Sequence, residues 1–153
     1  MSSHRVSKLI AALGLFAITA AMTGLPPELR LQKVREGRFT YFADLDTLSR
    51  EGDIARLRSL QLADEPMVIG DKAYLGGYSW WSFDCAAQTA RRLDYASLSD
   101  ALVEGPVTPT RGETQELAPG GEAAELAAVA CGQTPQRIDA NSLPAAVEIA
   151  KAL

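Results

Sequence analysis

Few side chains in these 153 residues could do chemistry, so each can be weighed in turn. The single histidine, His4, sits in an apolar N-terminal stretch that reads as a removable leader. Its removal leaves no Ser–His or Cys–His nucleophile pair and none of the commonest metal ligand. Asp44 and Asp46 stand two apart in a β-prone run, which would put both carboxylates on one strand face, as a hydrolase requires. Two acids near a strand end are usually just solvated, and that is the expectation for both. Holding calcium would need oxygen ligands that the neighbouring sequence does not identify. Gly76-Gly77 and Gly120-Gly121 lack the phosphate-loop and dinucleotide patterns. The residue types therefore point to no enzyme, no cofactor and no metal site. What remains is Cys85 and Cys131, 46 positions apart, and the adjacent pair Trp80-Trp81.

The leader decides how the cysteines are read. His4, Arg5 and Lys8 precede an uncharged run from Leu9 to Met22, which is shorter than the roughly 20 residues of a membrane span. Residues 1–21 read as a secretory signal peptide cut after Ala21, with an uncleaved anchor as the alternative. No cysteine follows the run for lipid attachment, so the expected location is the periplasm or the cell surface, with no stable membrane span after cleavage. An oxidising compartment favours a Cys85–Cys131 bridge, the alternative being two buried free thiols. Without Arg5 and Lys8, thirteen basic residues face nineteen acidic ones, a charge of about −6. A nucleic-acid partner is not expected at that charge. Arg30, Lys33, Arg35 and Arg38 cluster, but Glu28 and Glu36 interrupt them, and the segment reads as solvated.

The elements that would position these residues can be read in order. Residues 22–32, with Pro26-Pro27, read as an extended lead-in. A first strand begins near Gln32, and a second spans Arg38 to Asp46. A turn at Arg50-Glu51-Gly52-Asp53 precedes a strand from Ile54 to Leu62. Pro66 interrupts the chain before a hairpin centred on Gly70-Asp71. Gly76-Gly77 permits a bend before the tryptophan strand, Ser79 to Cys85. Ala86 to Leu98 fits helix or strand by pattern alone. Gly105 to Gly112 is a loop. Glu122 to Cys131 is the strongest helix of the mature chain, with early acids and a stop at Gly132. Residues 133–153 form an extension predicting a short helix capped by Asn141 or Ser142, with no evident task.

On a strand, adjacent tryptophans point to opposite faces. Trp81, Phe83 and Cys85 share parity, and a bridge to Cys131 would turn that face toward the helix. Trp80 is then the candidate for partner contact, because exposed tryptophans are favoured in interfaces. The alternative, Trp80 packed beneath a loop or the C-terminal segment, is equally open.

Several motifs in order give the chain a family likeness: Tyr41-Phe42-Ala43-Asp44-Leu45-Asp46, the turn at Glu51-Gly52, Asp84-Cys85-Ala86 with Arg91-Arg92, then Pro119-Gly120 and Cys131-Gly132. Together they resemble the surface-adhesin protein E-like family of small exported bacterial proteins over residues 33–132. The resemblance implies an α+β fold, an antiparallel β-sheet with a C-terminal helix packed on one face and tied to it by the disulfide. It resolves Ala86–Leu98 as strand. It also implies a non-enzymatic binding module for a protein partner, such as a host extracellular-matrix protein, and a homodimer. The alternative is a periplasmic structural or accessory envelope protein with no host ligand. The chain departs from the family in lacking a tryptophan near Lys33-Val34, in lacking the lipid-attachment cysteine, and in carrying residues 133–153.

Overall fold

The computed structural model describes residues 28–152. The signal-peptide reading, His4 and most of the lead-in lie outside them. The elements in chain order are β1 (Leu31–Arg35), β2 (Phe39–Glu51), β3 (Ile54–Ile69), β4 (Lys72–Asp84), β5 (Thr89–Arg92), β6 (Asp94–Ser99), β7 (Thr108–Pro109), β8 (Gln115–Glu116), α1 (Glu122–Ala130) and α2 (Leu143–Lys151). The strands make one antiparallel sheet running β1-β2-β3-β4-β5-β8, with β6 beside the lower half of β4 and β7 on β6. This is the α+β architecture expected, an antiparallel sheet with a disulfide-tied helix.

Helices cover both faces, which explains why the middle of β2 does not alternate. Thr40 through Leu45 are all buried. Ala43 and Leu45 point one way, joining Ala55, Leu57, Trp81, Phe83 and Ala90 beneath Ala123, Leu126, Ala127, Val129 and Ala130 of α1. Phe42 points the other way and joins Leu31, Leu60, Leu62, Leu75, Tyr78 and Leu98 beneath Ala146, Val147 and Ala150 of α2. The extension, for which the sequence offered no task, closes a second core on the face opposite α1. Ala146, Val147 and Ala150 fall on one helical face, so α2 has something to bury. Its N-cap is Ser142, whose Oγ accepts from the Ala145 amide at 3.3 Å, and Pro144 sits in the first turn. Asn141, the other cap candidate, instead donates to Glu28 Oε1 at 2.9 Å.

The bridge joins the residue after β4 to the residue that ends α1, with Cα atoms 5.6 Å apart. The α1 terminus is set by Gly132, whose φ of +73° is left-handed and whose amide donates to the Val129 carbonyl at 3.1 Å. Pro66 does not end its strand. It lies where the β3–β4 ladder shifts register between Leu62 and Met67, and the two strands run on to a hairpin tip. At that irregularity Gly76 presses on β3, so that a Cβ there would stand 1.9 Å from the Gln61 carbonyl oxygen. The segment read as loop from Gly105 holds the two residues of β7, and β8 follows it. Pairs this short carry no sequence signal, because period-2 patterning needs more residues.

Candidate functional site

α2 covers only the lower half of its face. Above it the register lays out the uncovered residues in rows across the strands. Arg58 faces Trp80; Arg56 faces Ser82, which faces Arg91; Ile54 faces Asp84, which faces Thr89. Directly opposed residues share a face, so Ile54, Arg56, Arg58, Trp80, Ser82 and Arg91 form one surface. Trp80 is half-buried, Arg56 and Arg91 are exposed, and Ile54 is 39% exposed. Trp81, one residue on, is 2% exposed against α1. The two tryptophans thus part to opposite faces as strand geometry demands. The Trp80 amide donates to Asp94 Oδ1 at 2.8 Å and its carbonyl accepts from the Leu93 amide at 2.8 Å, fixing the strand beneath the ring.

Arg58 anchors the lower rim. Its guanidinium lies 4.1 Å from the Tyr78 ring centroid and pairs with Glu104. Its Nε is buried and has no hydrogen-bond partner among the described residues. Burial pushes the Tyr78 hydroxyl pKa up, with Arg58 opposing. Arg56 makes no ion pair among the described residues, and Arg91 donates only through Nε to the Gly112 carbonyl, at 3.1 Å. The surface also carries acids. Glu51 is exposed, and Asp84 Oδ1 accepts from the Ala86 and Ala87 amides at 3.1 and 2.8 Å. Aromatic and guanidinium groups of this kind dominate protein interfaces.

Asp44 and Asp46 part company. The sequence reading placed both in solvent, but Asp44 is 7% exposed, opposite Arg58 in the sheet, while Asp46 is exposed and pairs loosely with Arg30 at 3.7 Å. The cause is the register break that follows Asp44, which resumes at Ser49, so strand alternation does not carry to Asp46. The Asp46 amide donates to Asp44 Oδ1 at 3.2 Å. Burial raises the Asp44 pKa, the Asp46 amide opposes this, the Asp46 charge adds to it, and Arg58 opposes it. A raised carboxyl pKa means that the folded state holds its proton more tightly, so the stability cost appears as pH rises through the folded value. Asp44→Asn is therefore expected to melt above the parent chain at pH 7, the difference shrinking as pH falls below the unfolded carboxyl range. Calorimetry at pH 7 and pH 3 checks it.

Sequence reasoning put Trp80 on the face opposite Trp81 but did not reach the arginines that share that face. Arg56, Arg58 and Arg91 reach Trp80 only through the β3–β4–β5 register, which spans 35 positions of chain; parity within each strand was the signal available. Among the described residues there is no group of three His, Cys, Asp or Glu placed to hold a metal, and no helix long and apolar enough to cross a membrane.

Two solved structures of Haemophilus influenzae protein E share this architecture. One, from its crystal form II, aligns at TM-score 0.53 and 14% identity over 80% of this chain and 98% of its own. The other aligns at TM-score 0.52 and 14% identity over 74% of this chain and 91% of its own. At that identity the likeness is one of fold. No curated protein sequence matches the chain. The family model described as Surface-adhesin protein E matches residues 29–132, more than half of the sequence and all of the sheet and α1, and by that match the chain belongs to the Surface-adhesin protein E family.

Proposed function

We propose that this chain is an exported, non-enzymatic binding module that holds a protein partner on the uncovered half of the α2 face, with Trp80 as the central contact. The observation that carries this is the placement of a half-buried tryptophan directly opposite Arg58 and one rung from the exposed Arg56 and Arg91, on the part of the sheet face that α2 leaves uncovered. A partner among host extracellular-matrix proteins fits the family's description as adhesins. A homodimer is compatible with the same reading. Export fits the disulfide, which persists in oxidising compartments.

The second reading is a periplasmic accessory protein, favoured by the lack of a cysteine for lipid attachment after the apolar run. Location separates the two. A C-terminally tagged chain is expected to be cleaved by added protease on intact cells. Cleavage only after the outer membrane is opened would place it in the periplasm and support the accessory reading instead.

A further inference from the structure

Away from the Trp80 surface, on the α1 face, Arg92 is held in one orientation with its working end unused. It stands opposite Trp81 in the β4–β5 ladder, and its guanidinium lies 5.4 Å from the Trp81 ring centroid and 5.6 Å from that of Tyr95. Its Nε donates to Ser79 Oγ at 2.7 Å. Ser79 is 1% exposed and belongs to a buried chain in which Trp81 Nε1 donates to Ser59 Oγ at 3.0 Å and Ser59 Oγ donates to the Ser79 carbonyl at 3.4 Å. The strand itself is clamped, because Thr110 Oγ1 donates to the Arg92 carbonyl at 2.8 Å. Gly112 lies so close that a Cβ there would come within 2.5 Å of the same oxygen.

Arg92 lines a cleft of about 650 Å³ between the segment Gly112–Ala118 and the first turn of α1. That volume is within the usual range of small-ligand sites, roughly 300–1,000 Å³. Among the described residues no carboxylate comes within ion-pair distance of Arg92. Glu113, Glu116 and Glu122 nevertheless line the same cleft. Burial first and Glu122 second push the Tyr41 hydroxyl beside this cleft up to about 12, so it stays protonated at any ordinary pH. A simple anion would meet three glutamates, and a simple cation would meet the fixed guanidinium. A ligand with both charges satisfies both walls, its carboxylate taking the planar fork of Arg92 and its ammonium the glutamates.

We propose that this cleft binds a zwitterionic group: an α-carboxylate together with a basic side chain, as at a polypeptide C-terminus ending in lysine. The test uses the full oxidised mature chain and isothermal titration, with Trp81 fluorescence as a second readout, since Arg92 lies against that ring. Nα-acetyl-lysine is expected to bind saturably. Nα-acetyl-lysinamide, which lacks the carboxylate, and Nα-acetyl-norleucine, which lacks the ammonium, are each expected to bind about tenfold more weakly or worse. A tripeptide ending in lysine that binds more tightly than acetyl-lysine assigns the site to a chain end, and equal affinity assigns it to the residue alone. Arg92→Lys, which loses the bidentate fork, should weaken binding about tenfold. Glu116→Gln, on an exposed residue with little part in folding, should weaken acetyl-lysine but not acetyl-norleucine. Trp80→Ala should change nothing here, so failure at this cleft is separable from failure at the other surface. The absence of saturable binding at millimolar ligand, or equal affinity for all three acetylated probes, would overturn the proposal.

Discussion

Cys85→Ser is expected to lower the melting temperature of the oxidised chain by roughly 10 °C or more. The bridge closes a loop of 46 positions, and in the chain-entropy model a loop of that length restrains the unfolded ensemble by about 4 kcal/mol. For a domain of this size each 1 kcal/mol moves the midpoint by roughly 2–8 °C. The variant should still fold, because α1 is also held by Leu126, Ala127 and Val129 against Leu57, Trp81 and Phe83, and Arg50 Nη1 donates to the Cys131 carbonyl at 3.1 Å. Calorimetry of the variant and of the reduced parent should give matching midpoints. Equal midpoints for oxidised parent and variant would mean that the bridge restrains nothing that packing does not already hold.

Ending the chain at Gly132 is expected to cost more. Truncation there keeps the whole matched family span, residues 29–132, yet removes α2 and with it the cover over Phe42, Leu60, Leu62, Tyr78 and Leu98. Ala146, Val147 and Ala150 are buried, and Leu143, Ala145 and Ile149 partly so. At about 25 cal/mol per Å² of apolar surface, losing these side chains and wetting the sheet beneath them costs on the order of 5 kcal/mol, comparable with the whole stability of many domains. The segment before α2 adds backbone ties to β1: the Leu31 amide donates to the Ala140 carbonyl at 2.9 Å, and the Asp139 amide to the Leu31 carbonyl at 2.8 Å. The truncated chain should bind a hydrophobic dye and lose its cooperative melt. A sharp melt near the parent midpoint would show that the second core is dispensable.

How far the sequence reached follows from the range of its signals. The α1 helix, its stop at Gly132, the Gly70-Asp71 hairpin and the opposite facing of Trp80 and Trp81 are local, set by propensity, turn chemistry and parity within a few residues. The Cys85–Cys131 pairing is long-range but had only two partners to choose from. Burial on both faces of β2 was illegible, because the second cover comes from residues about 100 positions downstream. Asp44 was misplaced for a related reason: a register break over Asp44–Ser49 leaves no mark in composition, and a buried acid looks like a solvated one until its neighbours are known. The arginines around Trp80 and the Arg92 cleft both depend on cross-strand register, which single-strand patterns do not encode.

The central claim is that the surface around Trp80 holds a partner, and affinity tests it most directly. The mature oxidised chain and Trp80→Ala would be titrated against immobilised extracellular-matrix proteins, with melting curves taken on the same samples. The parent is expected to bind at least one of them saturably, and the variant to bind it about tenfold or more weakly, as truncation of a central interface tryptophan costs more than about 1.4 kcal/mol, at an unchanged melting temperature. Equal affinity of parent and variant would contradict the claim and remove Trp80 from the contact surface.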